Sequence, residues 1–269
     1  MKKYYQLTVA FALLTGLILF TLSCVRDYKA EPTVVPAPVS PVPTGSFTES
    51  FDSNGDLTKK GWVFVNNSDP IGEAGWRTGR YEQISLANKK LTAGVVTVGF
   101  PAYRAKNDPH DFISCDITAC GNQTGAGNWS AWLISPAVPM KNGDSLVFYT
   151  ISNDILVDPT NGLATTDRME VRLNITNSSA FVGGDTASVG SFTKVLYDSN
   201  PSFVLNGAGG HPTVWTRVAR VITGIPGGSV SSGRFAFRYY IHDGGLYGGS
   251  ALTTFPSVVG VDEVQFKHF

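Results

Sequence analysis

The sequence carries no surplus of charge: 21 Lys and Arg are set against 21 Asp and Glu in 269 residues. Without a basic excess there is little to draw in a phosphate backbone, which argues against nucleic acid as a partner. Histidine is scarce too, with four scattered residues, and no zincin His-Glu-x-x-His, Gly-x-Ser-x-Gly elbow or phosphate-cradling loop occurs. Ser191-Phe-Thr-Lys194 has a Ser-x-x-Lys spacing but lacks both the companion motifs and a helical setting. A hydrolase acting on polysaccharide or peptide would have to rest on two distant carboxylates, whose meeting linear spacing does not reveal. Helical periodicity is weak past residue 24, and no second apolar run is long enough to cross a bilayer. Charged residues amount to only 16% while aromatics reach 12%, a balance that excludes a disordered chain and suits a turn-rich β protein.

What is present begins with the leader. Lys2 and Lys3 precede an apolar run from Leu7 to Phe20, then Thr21-Leu-Ser-Cys24, the parts of a secretion signal over residues 1–23. The cysteine after Leu22-Ser23 resembles the lipobox of bacterial lipoproteins, with Thr21 departing from the usual aliphatic residue. That resemblance implies lipidation of Cys24 and a membrane-attached protein; the alternatives are an ordinary cleaved signal or an uncleaved anchor. Residues 24–45 are rich in proline, which favours extended conformations, and read as a tether. Residues 46–269 fit one domain.

The domain pattern is period two. Met169-Glu-Val-Arg-Leu173 and Phe235-Ala-Phe-Arg-Tyr239 send apolar residues to one face of a strand and arginine to the other. Gly, Asn and Pro breaks such as Lys141-Asn-Gly-Asp144 and Pro226-Gly-Gly228 separate such segments. The expected fold is all-β, an antiparallel β-sandwich of jelly-roll type. Phe51, Trp62, Trp132, Trp215 and Phe237 fall where aromatic side chains fill a sandwich core.

Phe47-Thr-Glu-Ser-Phe-Asp52, Gly61-Trp62, Asn128-Trp-Ser-Ala-Trp-Leu-Ile-Ser-Pro136, Asp144-Ser-Leu-Val-Phe-Tyr149, Asp167-Arg-Met-Glu-Val-Arg172, Trp215-Thr-Arg217, Gly233-Arg-Phe-Ala-Phe-Arg-Tyr239 and Val259-Gly-Val-Asp-Glu-Val264 follow in that order. The collinear set resembles the choice-of-anchor J and cleaved-adhesin family, extracellular jelly rolls similar to the MAM domain. Membership implies an exported binding or accessory module and names no ligand.

Four local readings complete the expectations. Cys115 and Cys120 would form a local disulfide in an oxidising compartment, with two free thiols as the alternative. Glu49, Asp52 and Asp262 would converge on a structural calcium ion, because the first and last strands of a jelly roll are commonly neighbours and the ion takes oxygen ligands; a polar turn and a sheet-edge acceptor are the plain alternative. His242, Asp243 and Tyr247, in a Gly-rich loop, could stack on and hydrogen-bond a sugar or peptide, and otherwise form a linker. Trp76, Arg80 and Tyr81 offer a rival aromatic and basic surface. The function read from these features is a non-catalytic binding or adhesion module for glycan or protein, held by its lipid as an outer-membrane lipoprotein on the periplasmic face or cell surface. The alternative is a structural or assembly lipoprotein docked to another envelope component. Replacing Cys24 by Ser should abolish incorporation of labelled palmitate and move the protein to the soluble fraction; unchanged labelling would refute the lipid anchor.

Overall fold

Strands form where apolar and polar residues alternate, and breaks fall at the Gly, Asn and Pro clusters. The computed structural model describes residues 45–269 except 53–56, 86–94, 106–107, 123–124, 154–155, 159–162, 208 and 246–255. Cys24, the tether before residue 45 and Tyr247 lie outside the described residues. The first sheet contains β1 (Phe47–Glu49), β3 (Arg77–Thr78), β6 (Ile113–Asp116), β9 (Ser145–Ser152), β14 (Thr216–Val221) and β16 (Val258–Lys267). Its order is β14-β9-β16-β6-β3, with β1 also on β16. The second sheet contains β2 (Val63–Asn66), β7 (Gly127–Ile134), β8 (Val138–Lys141), β12 (Met169–Asn174), β13 (Lys194–Asp198) and β15 (Ser229–Gly244). Its order is β13-β12-β15-β7-β2, with β8 also on β15. Two ribbons, β4 (Tyr81–Ser85) with β5 (Val95–Gly99) and β10 (Leu156–Asp158) with β11 (Leu163–Ala164), complete an antiparallel β-sandwich.

Directly opposed residues on neighbouring strands share a face, so register assigns the core. Val171, Phe237 and Leu133 are cross-strand partners, and all three are buried between the sheets. Facing them, β9 contributes Leu146 and Phe148, and β16 contributes Val259, Val261, Val264 and Phe266. Aromatic rings run through this core from Phe51 to Trp62 (5.7 Å), Phe235 (5.9 Å), Phe237 (6.0 Å), Phe148 (5.2 Å) and Tyr197 (5.8 Å). Burying each such ring contributes about 2 kcal/mol.

The period-two reading holds for Met169, Val171, Leu173, Phe235, Phe237 and Tyr239, which all face the core. Trp132 and Trp215 correct it. Trp132 belongs to the outward face of β7, where it is buried with Ile134, Ala236, Val182 and Phe192. Trp215 is half-buried on the outside of the first sheet, against Phe100 and Phe112. Both rings are covered by loops that pack on the outer faces, which strand parity alone does not foresee.

Cys115 and Cys120 are separate buried thiols, which corrects the expected disulfide. Cys115 projects into the core from β6, whereas the Cys120 thiol turns toward the Asp69 carbonyl 3.6 Å away. Burial disfavours the thiolate and raises the pKa of both.

At one end of the sandwich, polar groups replace the apolar core. Asp167, fully buried, accepts from Tyr239 Oη (2.6 Å) on the second sheet and from Ser152 Oγ (2.5 Å) on the first. Asn206 Nδ2 (2.7 Å), Ser257 N (2.9 Å) and Ser257 Oγ (2.5 Å) also donate to it. Beside this group His211 is also fully buried. Its Nε2 lies 3.0 Å from Thr150 Oγ1, whose own proton goes to the Gly260 carbonyl, so Nε2 carries the hydrogen. Its Nδ1 then accepts from Ser199 Oγ at 2.8 Å. The ring is held neutral, and burial pushes its pKa from 6.5 down to about 3. Because the folded value is depressed, this contribution to stability is complete above pH 6.5 and is lost as pH falls toward 3. Its slope there approaches about 1.4 kcal/mol per pH unit. Urea unfolding at successive pH values should show this loss in the native protein and a flatter acid limb in His211→Gln; parallel acid limbs would reject it.

Candidate binding face

The outer face of the first sheet is built by a loop laid across it. At Gly99, with φ +81°, a Cβ would sit 1.8 Å from the Arg80 carbonyl, so the chain can cross there only without a side chain. Phe100 and Phe112 then settle over Gly260 of β16, where a Cβ would come within 2.4 Å of the Phe100 ring. Trp215 closes against these rings and donates from Nε1 to the Pro101 carbonyl at 2.8 Å.

The same loop places Tyr103 flat on Tyr149, with centroids 3.7 Å apart and planes 19° apart. Tyr149 projects outward because its neighbours on β9, Phe148 and Thr150, point inward. Its cross-strand partners are Arg217 on β14 and Asp262 on β16, giving one outward row across three strands. The Arg104 guanidinium lies 5.3 Å from the Tyr103 ring centre. Both tyrosines are half-buried, whereas Arg104 and Arg217 are exposed. Hydrogen bonding to Tyr103 raises the Tyr149 pKa, while the Arg104 and Arg217 charges act in the opposite direction.

Asp262 anchors the row. Its Oδ2 accepts from Tyr103 N at 3.0 Å and its Oδ1 from Glu263 N at 2.7 Å. The carboxyl is 2% exposed, and burial, with smaller contributions from the Glu263 and Asp52 charges, lifts its pKa to about 7. A bulge between Asp262 and Gln265, with Glu263 at φ +48°, turns Val264 into the core.

That bulge separates the acidic residues expected to share calcium. β1 does pair with β16, but Glu49 lies opposite inward-facing Val264, and both its carboxylate oxygens are 3.0 Å from Lys60 Nζ. Asp262 leaves the other face. Asp52 is exposed and contributes to the field at Asp262. Among the described residues no group of three or more His, Cys, Asp or Glu is arranged to hold a metal ion. The register therefore does not bring Glu49 and Asp262 to one face.

The described residues of the other two expected surfaces fall on different elements, with Trp76 and Arg80 flanking β3 of the first sheet, Tyr81 opening the β4 ribbon, and His242 and Asp243 on β15 of the second sheet. Trp76 is buried, with Nε1 donating to the Ala131 carbonyl at 3.0 Å and its ring packed on Phe237, so it serves the core. Arg77 and Arg80 converge on Asp116, with Arg80 Nη1 at 3.0 Å. Burial works to raise the Asp116 pKa, but hydrogen bonds from Thr118 and Arg77 outweigh it and hold the group below 3.8. Tyr81 meets His110 edge-on at 6.3 Å. His242 is exposed on the outer side of the second sheet, edge-on to Phe203 at 5.1 Å, and the Asp243 amide donates to Asn128 Oδ1 at 2.9 Å. Next to them Arg168 is held by Asp198 (2.7 Å) and Glu170 (3.0 Å), while Arg238, 1% exposed, lies over Trp132 and Tyr240.

Tyr103, Arg104, Tyr149 and Arg217 were not singled out as a site from the sequence. Period two in Ser145-Leu-Val-Phe-Tyr-Thr150 does place Tyr149 opposite Phe148, but its partner comes from a loop far along the chain.

No protein-family model and no curated protein matches the sequence. Among solved structures, the chain is similar to the K1 cleaved adhesin domain of Lys-gingipain from Porphyromonas gingivalis W83 (16% identity, 83% of this chain, 98% of that chain, TM-score 0.44). It is also similar to the K2 cleaved adhesin domain of Lys-gingipain (18% identity, 83% and 98%, TM-score 0.39). A third likeness is to the C-terminal CBM6 of LamC, a marine laminarinase from Zobellia galactanivorans (11% identity, 77% and 98%, TM-score 0.25). At these scores the similarity assigns neither residues nor a ligand.

Asp262 supplies a test of the row. Since its folded pKa is raised, its stabilising contribution is complete below its ordinary value of 3.8 and is lost as pH rises toward 7. The Tm of the native protein should therefore fall relative to that of Asp262→Asn between pH 4 and pH 8; a constant difference would remove the buried neutral carboxyl from the account.

Proposed function

We propose that this chain is a lipid-anchored envelope or cell-surface module that binds glycan on the outer face of its first sheet, without turnover. The observation that carries this reading is the Tyr103 and Tyr149 stack, half-buried on an outward row and braced by Trp215. Aromatic rings fixed in this way offer an apolar edge and hydroxyls to a sugar at small entropic cost, because packing and the Tyr103 amide bond already hold their positions. Asp262 beneath this face and His211 in the interior serve structure: Asp262 is enclosed by two backbone amides, and His211 is fully buried. The chain fits the cleaved-adhesin and choice-of-anchor J pattern read from its ordered motifs, and Cys24 would hold it at the outer membrane.

Docking to another envelope protein is the second reading, favoured by the apolar side chains of Val214 (69% exposed) and Val221 (59% exposed), which flank and end the edge strand β14. A glycan array followed by calorimetry separates the two. Tyr149→Ala should weaken the best glycan about fivefold or more while Tyr81→Ala leaves it unchanged, as expected for loss of about 1 kcal/mol of ring contact. Equal affinity in both variants would move the site elsewhere, and binding that survives only for a protein partner would favour docking.

A further inference from the structure

We infer that the outward row takes an acidic glycan, one bearing carboxylate or sulfate, with Arg104 and Arg217 on its anionic groups. This inference rests on the glycan-binding reading of the same face. Its starting point is an imbalance among the arginines. Arg80, Arg168, Arg172 and Arg238 each lie within 4 Å of a carboxylate in the fold. Arg104 and Arg217 are exposed and, among the described residues, make no salt bridge.

Both of these guanidiniums act on the same hydroxyl. Arg217 is the direct cross-strand partner of Tyr149, and Arg104 lies near the ring of Tyr103, which is stacked on Tyr149. The register and the ring contact set both guanidiniums on this row, and their positive charges favour the ionised form of Tyr149. The nearest acid in the row, Asp262, turns its oxygens to the Tyr103 and Glu263 amides instead of to either arginine, and its raised pKa leaves it partly protonated at neutral pH. The fold therefore satisfies Asp262 internally and leaves two planar donors unspent beside an aromatic step. A guanidinium binds a carboxylate or a sulfate-like oxyanion through paired N–H groups, and the tyrosine edge accommodates the apolar face of the ring that carries it. A neutral glycan would use the step alone.

The test is calorimetry on the full chain with three oligosaccharides: an oligogalacturonate, its fully methyl-esterified neutral form, and a sulfated galactan fragment. At least one acidic probe should bind about tenfold or more tightly than the neutral ester, as expected for charge-assisted contacts, and the advantage should shrink in high salt. Arg217→Gln and Arg104→Gln should each remove most of that advantage while leaving the neutral ester and the Tm unchanged. Preference for uronate or for sulfate supports the inference and identifies which anion fits. Equal binding of acidic and neutral probes, insensitive to either arginine, overturns this inference and leaves the glycan reading standing. Absence of binding to all three probes and to a broad glycan array overturns both.

Discussion

A carboxylate with no salt bridge among the described residues, enclosed between two sheets, sets the terms for this fold. Asp167 receives hydrogen bonds from both layers and from the segments that lead into them. Burial alone pushes toward the protonated acid, and the converging donors oppose it. Removing any one donor would leave buried polar atoms unsatisfied, which costs more than an average hydrogen bond contributes. The network therefore ties the sheets together at the end where apolar packing gives out, and it fixes the positions of β9 and β15 relative to each other. Those two strands carry, respectively, the outward tyrosine of the first sheet and the outward arginine of the second.

The two outer faces are finished in opposite ways. On the second sheet an in-register row runs Asp198, Glu170, Arg238, Trp132 and Val65, and the segment around Thr186 covers its middle. Three arginines meet Glu170 there, so its charge is answered and its pKa is lowered despite burial. On the first sheet the covering loop stops short, and the row Arg217, Tyr149 and Asp262 stays partly open. One face spends its charges on holding itself closed. The other leaves its tyrosine rings half-buried and its guanidiniums exposed.

Much of the sandwich was legible in the sequence because a strand writes its burial in period two. Phe235, Phe237 and Tyr239, or Met169, Val171 and Leu173, could be placed on one face without knowing their partners. What period two does not carry is a third layer. Trp132 and Trp215 are large aromatics that parity puts on the outside, and only the loops ending near Phe192 and beginning at Phe100 explain how they are shielded. Nor does it carry a bulge: one extra residue at Glu263 sends Asp262 and Val264 to opposite faces and so separates Glu49 from Asp262. The cysteine pair failed for a related reason, since spacing along the chain says nothing of where each thiol points. The tyrosine stack joins residues 46 positions apart through a loop, and a distance of that kind leaves no local trace.

The aromatic row begins on β14, which among the described residues is the margin of its sheet. A platform open along one side does not require a chain end to enter it, so under the proposed glycan reading a polymer would be gripped at any point of its length. If many copies are fixed to one surface, as proposed, each would meet a different repeat of one polymer, and the effective concentration of each second contact would do what a deep pocket otherwise does.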